Sequence, residues 1–190
     1  QTLVINEVLA SNSLVNTDED GDYQDWVELY NNSASPINLN GYGLTDDATL
    51  PFKWVFPNVT INPGSYLLIY CSDKNRTNPA NPLHTNFKIS SGGEMITLTN
   101  ASSVIVDSAP ASPMQNDESF GRLPNGTGNF TLIQTPTPNA LNENGTPVTT
   151  LSSPIFSHNS GFYTSSFDLT ITTNDQDATI LYTLDGSEPD

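Results

Sequence analysis

A chain of 190 residues with 14 Pro and 12 Gly is long enough to bury a core, and at about 100–200 residues per domain it fits one large domain or one domain with part of another. Five Lys and Arg against 21 Asp and Glu give a net charge of −16, a field that repels phosphate backbones and argues against nucleic acid as a partner. No apolar run reaches the ~18 residues of a membrane span, no long window shows a helical apolar period, and turn residues are scattered throughout, so the expected class is all-β.

Residues 2–9 read as the first strand, with Leu3, Ile5, Glu7 and Leu9 on one face and Val4, Asn6 and Val8 on the other. Glu7 then falls on an apolar face, and its expected role is structural, tying a loop by accepting backbone N–H bonds. The chain opens on Gln1 and enters this strand at once, which reads as a start just after a cleaved signal peptide.

The next stretch, Asn16–Asn31, NTDEDGDYQDWVELYN, runs from dense acid into an alternating strand. Asp18, Glu19, Asp20, Asp22 and Asp25 are tolerable so close together only if the loop is solvated or a cation neutralises it. Asn16, Asp18 and Asp20 at alternate positions, followed by Gly21, fit the first half of a calcium loop. The twelfth position is Val27, Glu28 comes one residue late and no helix flanks the loop, so the fit is not that of an EF-hand. A looser site would use the Asp22 carbonyl and the Asp25 side chain. No cofactor is required by this loop; if one binds, calcium is the candidate, with Asn16, Asp18, Asp20, Asp22 and Asp25 as candidate ligands. The other reading is a solvated loop that keeps a sandwich edge soluble. In the strand that follows, Val27 and Leu29 share one face, and Trp26, Glu28 and Tyr30 the other.

INLNGYGLTDD gives two short strands broken at Asn40–Gly41, read as a hairpin. Residues 52–56 and 58–61 flank Pro57, and Asn62-Pro63-Gly64 turns the chain into a strand at 66–71. There Leu67, Ile69 and Cys71 share a face, so the single cysteine reads as a buried apolar residue and forms no intrachain disulfide. Residues 72–84, with Lys74, Arg76 and His84, read as a long loop and a second candidate functional region. Short strands follow at 86–89, 95–99 and 104–108. Residues 109–142 are expected to wrap irregularly over the sandwich, 143–152 to form a polar linker, and 155–157, 166–173 and 179–184 to be strands of a second domain.

Catalysis finds little support. His84 and His158 lie in different expected domains, no hydrolase, zinc-protease or phosphate-loop motif occurs, and Asp46 and Asp47 sit on a turn where they cap backbone. Trp26, Tyr30, Tyr42, Phe52, Trp54 and Tyr70 are a sugar-stacking platform only if several share an exposed face; core packing is the default.

DWVELYN, preceded by LVINEVLASN and followed by INLNGYGLTDD, resembles the N-terminal half of the bacterial lamin-tail domain. FPNVTINPGSYLLIY, GGEMITLTN and SVIVDS resemble its middle and closing strands, and PTPNALN the segment that often ends it. The resemblance covers about residues 1–142 and implies an immunoglobulin-like β-sandwich. Residues 153–190, through YTLDGSEP, resemble the small β-domain at the C-terminus of chitobiase and hexosaminidase-type enzymes. Further strands follow that motif in the family, so a truncated second domain is expected. Together these imply a non-catalytic interaction or targeting module, secreted or at the cell surface. It would be the N-terminal portion of a larger bacterial multidomain protein with a kinase-like or hydrolase domain downstream, its partner a protein or surface glycan. The alternative is a carbohydrate-binding accessory module of a glycan-degrading enzyme. The DNA and chromatin binding of animal lamin tails is not carried over, because this sequence lacks a basic patch.

Overall fold

The computed structural model describes residues 2–147, 151–175 and 178–188. The chain divides into two compact units, Gln1–Val148 and Thr149–Asp190. The first contains β1 (Leu3–Leu9), β2 (Asp25–Asn31), β3 (Ile37–Asn38), β4 (Gly43–Thr45), β5 (Trp54–Val55), β6 (Thr60–Ile61), β7 (Tyr66–Cys71), β8 (Leu83–His84), β9 (Ile96–Thr99), β10 (Ile105–Ala109), β11 (Ser119–Leu123) and β12 (Asn129–Ile133). A six-stranded sheet runs β12-β11-β1-β2-β7-β8, a four-stranded sheet runs β10-β9-β4-β5, and β3 pairs with β6. Among the described residues the helical structure is one 3-10 turn, Asn142–Asn144, so the fold is all-β.

The core between the sheets is set by β1, β2 and β7, whose alternating apolar residues face β4 and β9. Val27, Leu29, Ile69 and Cys71 from the first sheet pack with Leu44, Trp54, Phe56, Ile96 and Leu98. Burial pushes the Cys71 thiol up, as the strand pattern requires of a core residue. In β1 the pairing jumps from Ile5↔Leu29 to Glu7↔Glu28, a bulge at Asn6. One extra residue reverses the alternation beyond it. Leu3, Ile5 and Val8 therefore enter the inter-sheet core, while Leu9 joins Trp26 and Tyr70 in a separate cluster. The expectation that Leu3, Ile5, Glu7 and Leu9 share one face is corrected by this bulge.

Other expectations change as well. The Asn40–Gly41 break is a corner, since β3 pairs with β6 and β4 with β5 and β9; Gly41, at φ +78°, supplies the turn. Residues 86–89 make a single bridge, Ser72↔Lys88, in place of a strand. Residues 119–133, expected to be irregular, form the β11–β12 hairpin that extends the sheet beyond β1. Residues 143–147, expected within the linker, remain on the sandwich: Gln134 N–H donates to Thr146 O and Pro147 bridges Ile133. In the second unit β13 (Ile155–Phe156) pairs with β14 (Ile171–Thr172). The described residues of the third candidate, 179–184, form no strand, and Leu184 is 95% exposed.

Arg122 on β11 reaches across to Asp107 on β10 of the other sheet. Both carboxylate oxygens accept from its guanidinium at 2.9 Å, its Nε donates to Ile5 O at 3.0 Å, and Asp107 also takes the Ile5 N–H at 2.9 Å. The two side chains are only 13% and 5% exposed. Removing one partner of a buried pair leaves the other charge uncompensated, at a cost of about 3 kcal/mol or more. Arg122→Met should lower the urea-unfolding free energy of the first unit by about 3 kcal/mol; a loss below about 1 kcal/mol would show that the clamp between the sheets contributes little.

Candidate functional site

The acidic loop between β1 and β2 is shaped by its own first aspartate. Asp18 accepts the backbone N–H groups of Asp20 and Asp22, both at 3.0 Å. Its own N–H donates to Asp22 O, and Gly21, at φ +85°, closes the turn onto Asp18 O at 3.1 Å. Opposite lies the segment after β7, which reads as a loop in the sequence but is pinned as an arm. Asp73 N–H donates to Phe87 O, Asn75 N–H to Thr85 O and His84 N–H to Arg76 O. Asp73 and Asn75 take positive φ values, 65° and 50°.

The arm delivers the basic side chains into the acidic loop. Lys74 Nζ donates to Asp18, Asp20 and Asp22 at 2.5, 2.7 and 2.9 Å, and Arg76 to Glu19 and Asp20 at 2.5 and 2.6 Å. Arg76 and then Lys74 hold the Asp20 carboxyl down to about 2. Burial pushes Asp18 up, but Lys74 and the backbone N–H groups of Asp22 and Asp20 outweigh it and the net shift is downward. Glu19 behaves alike, burial being overcome by His84, a backbone N–H and Arg76. His84, fully buried, bonds Glu19 through Nε2 at 2.9 Å and Ser72 Oγ through Nδ1 at 2.7 Å, with its ring stacked on Tyr70.

Serine, histidine and carboxylate in a hydrogen-bonded row is the connectivity of an acyl-transfer triad. With His84 at 0% and Ser72 at 6% exposure, the row is nearly enclosed, and it ties the arm to the acidic loop.

Of the five candidate ligands, the fold brings Asp18, Asp20 and Asp22 together, their carboxylate oxygens within 4.8 Å of one another. Asn16 turns aside, its Nδ2 donating to the Tyr70 hydroxyl at 3.2 Å and its Oδ1 buried without a protein partner. Asp25 starts β2 and takes the backbone N–H groups of Ile89 and Asn12; burial raises its carboxyl to about 6. Lys74, Arg76, His84 and Glu19 were not among the candidate ligands. Their signal in the sequence was a basic loop following an acidic one. The aromatic candidates divide differently: Trp26, Trp54 and Tyr70 are buried, at 0%, 2% and 8% exposure, and form no open platform.

A second group of acids lies on the outer face of the six-stranded sheet. Glu7 and Glu28 are fully buried. Glu7 accepts from Ser119 Oγ, Thr137 N–H and Thr137 Oγ1, a structural, loop-tying role, although the bulge sets it on the outer face and not among Leu3 and Ile5. Glu28 accepts from Asn6 Nδ2 and Asn139 N–H.

Lys74→Met should lower the melting temperature of the first unit by a few degrees, more at low salt than at high, because three carboxylates lose their shared counter-charge. Asp18→Asn in that background should then restore part of the loss. Further destabilisation by the second change would mean that repulsion among the acids is not what Lys74 relieves.

No helix among the described residues is long and apolar enough to cross a membrane. In a comparison with individual curated proteins, none matches the chain. Among protein families, the Chitobiase/beta-hexosaminidase C-terminal domain matches residues 158–190, and the Lamin Tail Domain matches residues 1–112. The latter match lies within the two-sheet unit and spans more than half of the chain, with β1 to β10 in it. The chain therefore belongs to the lamin tail domain family, and its first unit is an immunoglobulin-like β-sandwich of that family.

Proposed function

We propose that the chain is a non-catalytic interaction or targeting module of a secreted or cell-surface protein, the N-terminal portion of a larger chain with a kinase-like or hydrolase domain downstream. The observation that carries this reading is the use made of its reactive side chains. Ser72, His84 and Glu19 are consumed in pinning an arm, and Glu7 and Glu28 in holding a loop, with little or no exposure at His84, Ser72, Glu7 and Glu28. What is left outside is a rigid scaffold carrying tied loops, the arrangement that presents a recognition surface. In this reading Lys74 supplies the positive charge for which calcium was one candidate, and the contact between arm and loop needs no metal.

The second reading, a carbohydrate-binding accessory of a glycan-degrading enzyme, draws on the match over residues 158–190 and on an aromatic group in the second unit. His158 stacks on Phe167 with centroids 4.0 Å apart, and Tyr163 lies 4.4 Å from Phe167 and is 47% exposed. Exposed rings of this kind can stack on sugars.

Two assays separate the readings. Aryl esters and aryl glycosides should not be turned over above the buffer rate; turnover that Ser72→Ala abolishes would overturn the non-catalytic reading. Sedimentation with insoluble chitin, cellulose and peptidoglycan then tests the accessory reading. Retention lost in Tyr163→Ala would favour it, and free protein throughout would leave a protein partner as the expected one.

A further inference from the structure

Residues 134–147 lie over the outer face of the six-stranded sheet as a strap. Asn142, fully buried, is its hub: Nδ2 donates to Asn6 O at 3.1 Å and Arg122 O at 2.9 Å, Oδ1 accepts from Asn6 Nδ2 at 3.1 Å and Thr137 Oγ1 at 3.2 Å, and its N–H donates to Asn125 Oδ1 at 3.1 Å. Beneath the strap Glu7 and Glu28 occupy facing positions of β1 and β2. Every donor that reaches them is neutral: Ser119, Thr137, Asn6 and Asn139.

Among the described residues, the charged and titratable groups on the surrounding elements bring no cation to the pair. β7 contributes Tyr66, held up to about 12 by burial and by Glu28. The strap contributes Glu143, whose carboxylate takes the Asn125 N–H at 2.7 Å. β11 contributes Arg122, whose guanidinium is committed to Asp107, Ile5 O and Gly128 O. Two carboxylates side by side and shielded from water cannot both be charged without a large desolvation and repulsion cost.

We propose that residues 134–147 are a proton-locked strap: a proton on the Glu7–Glu28 pair keeps the strap seated, and ionisation of both carboxyls releases it. Lifting the strap hydrates both carboxylates at once, and water replaces the three donors that Thr137 and Asn139 withdraw. The strap lies in sequence between the sandwich and the second unit, so its release adds residues 134–147 to the chain that links the two. The direction in pH follows from burial. Burial raises Glu28 to about 8, against the lowering effect of Asn6 and Asn139 and with the Glu7 charge adding to the rise; burial raises Glu7 as well. Raised carboxyls stabilise the closed state fully below the ordinary glutamate value of 4.5, and that stability is lost as pH rises through about 8. The strap is thus seated in acid and neutral solution and lifts in mild alkali.

The test is limited proteolysis of the whole chain, with cleavages inside residues 134–147 mapped by mass spectrometry and rates divided by those for an unstructured peptide of the same sequence. Normalised cleavage should be about tenfold faster at about pH 9 than at about pH 6, with the fluorescence of the buried Trp26 and Trp54 unchanged. Glu28→Gln, neutral at every pH, should flatten the response; Glu7→Gln serves the same purpose if the first variant does not fold. Cleavage independent of pH in the wild type would overturn the proposal. So would an unaltered pH response in the glutamine variants, or tryptophan fluorescence that changes with the same midpoint, which would mean that the whole sandwich opens.

Discussion

Five cationic side chains serve 21 carboxylates, and where those five go decides which acids stay charged and how the loops are held. Lys53 takes Asp46, Lys74 takes three aspartates of one loop, Arg76 takes Glu19 and Asp20, and Arg122 takes Asp107. Lys88 lies near enough to Asp25 to favour its charged form. Except for Lys53, seven residues from Asp46, the allocations join parts that lie apart in the fold. Arg122 ties one sheet to the other, and Lys74 and Arg76 join the connection after β7 to the one before β2. Exposed ion pairs are individually weak. Here Asp18 is shielded from water and Lys74 is shared by three acids, so the arm and loop constrain each other as a network.

The remaining buried acids, Glu7 and Glu28, have no cation among the described residues, and the fold treats them by a different rule. The Asn6 bulge rotates Glu7 out of the inter-sheet core and sets it opposite Glu28, under a strap rich in amides and hydroxyls. Neutral donors satisfy the lone pairs and burial favours the proton. One chain thus uses both ways of tolerating a carboxylate away from water: a fixed counter-charge at the sheet end, and a proton on the outer face.

Much of the sandwich was legible. β1, β2 and β7 carry alternation that water and core impose directly, and Cys71 sits in the core as its strand face required. What failed to show has physical causes. The Asn6 bulge leaves no mark in the apolar pattern, since every residue of β1 is buried and either alternation looks acceptable. The β11–β12 hairpin was hidden by the five prolines and weak alternation of residues 109–142; at Gly121 a Cβ would lie 2.8 Å from Asn142 and Ile133, so close packing requires the glycine there. The acidic loop and the basic loop were each visible as candidate regions. Their pairing was not, because more than fifty residues separate Lys74 and Arg76 from their acids and only the β2–β7 register brings them together.

The most direct test of this division of the acids is a carboxyl-carbon NMR titration of the folded first unit. If a counter-charge holds one group and a proton the other, Asp20 should titrate near about 2 and Glu28 near about 8. Glu28 titrating near the ordinary glutamate value of 4.5 in the folded protein would contradict it, showing that water or an unrecognised cation reaches the outer face.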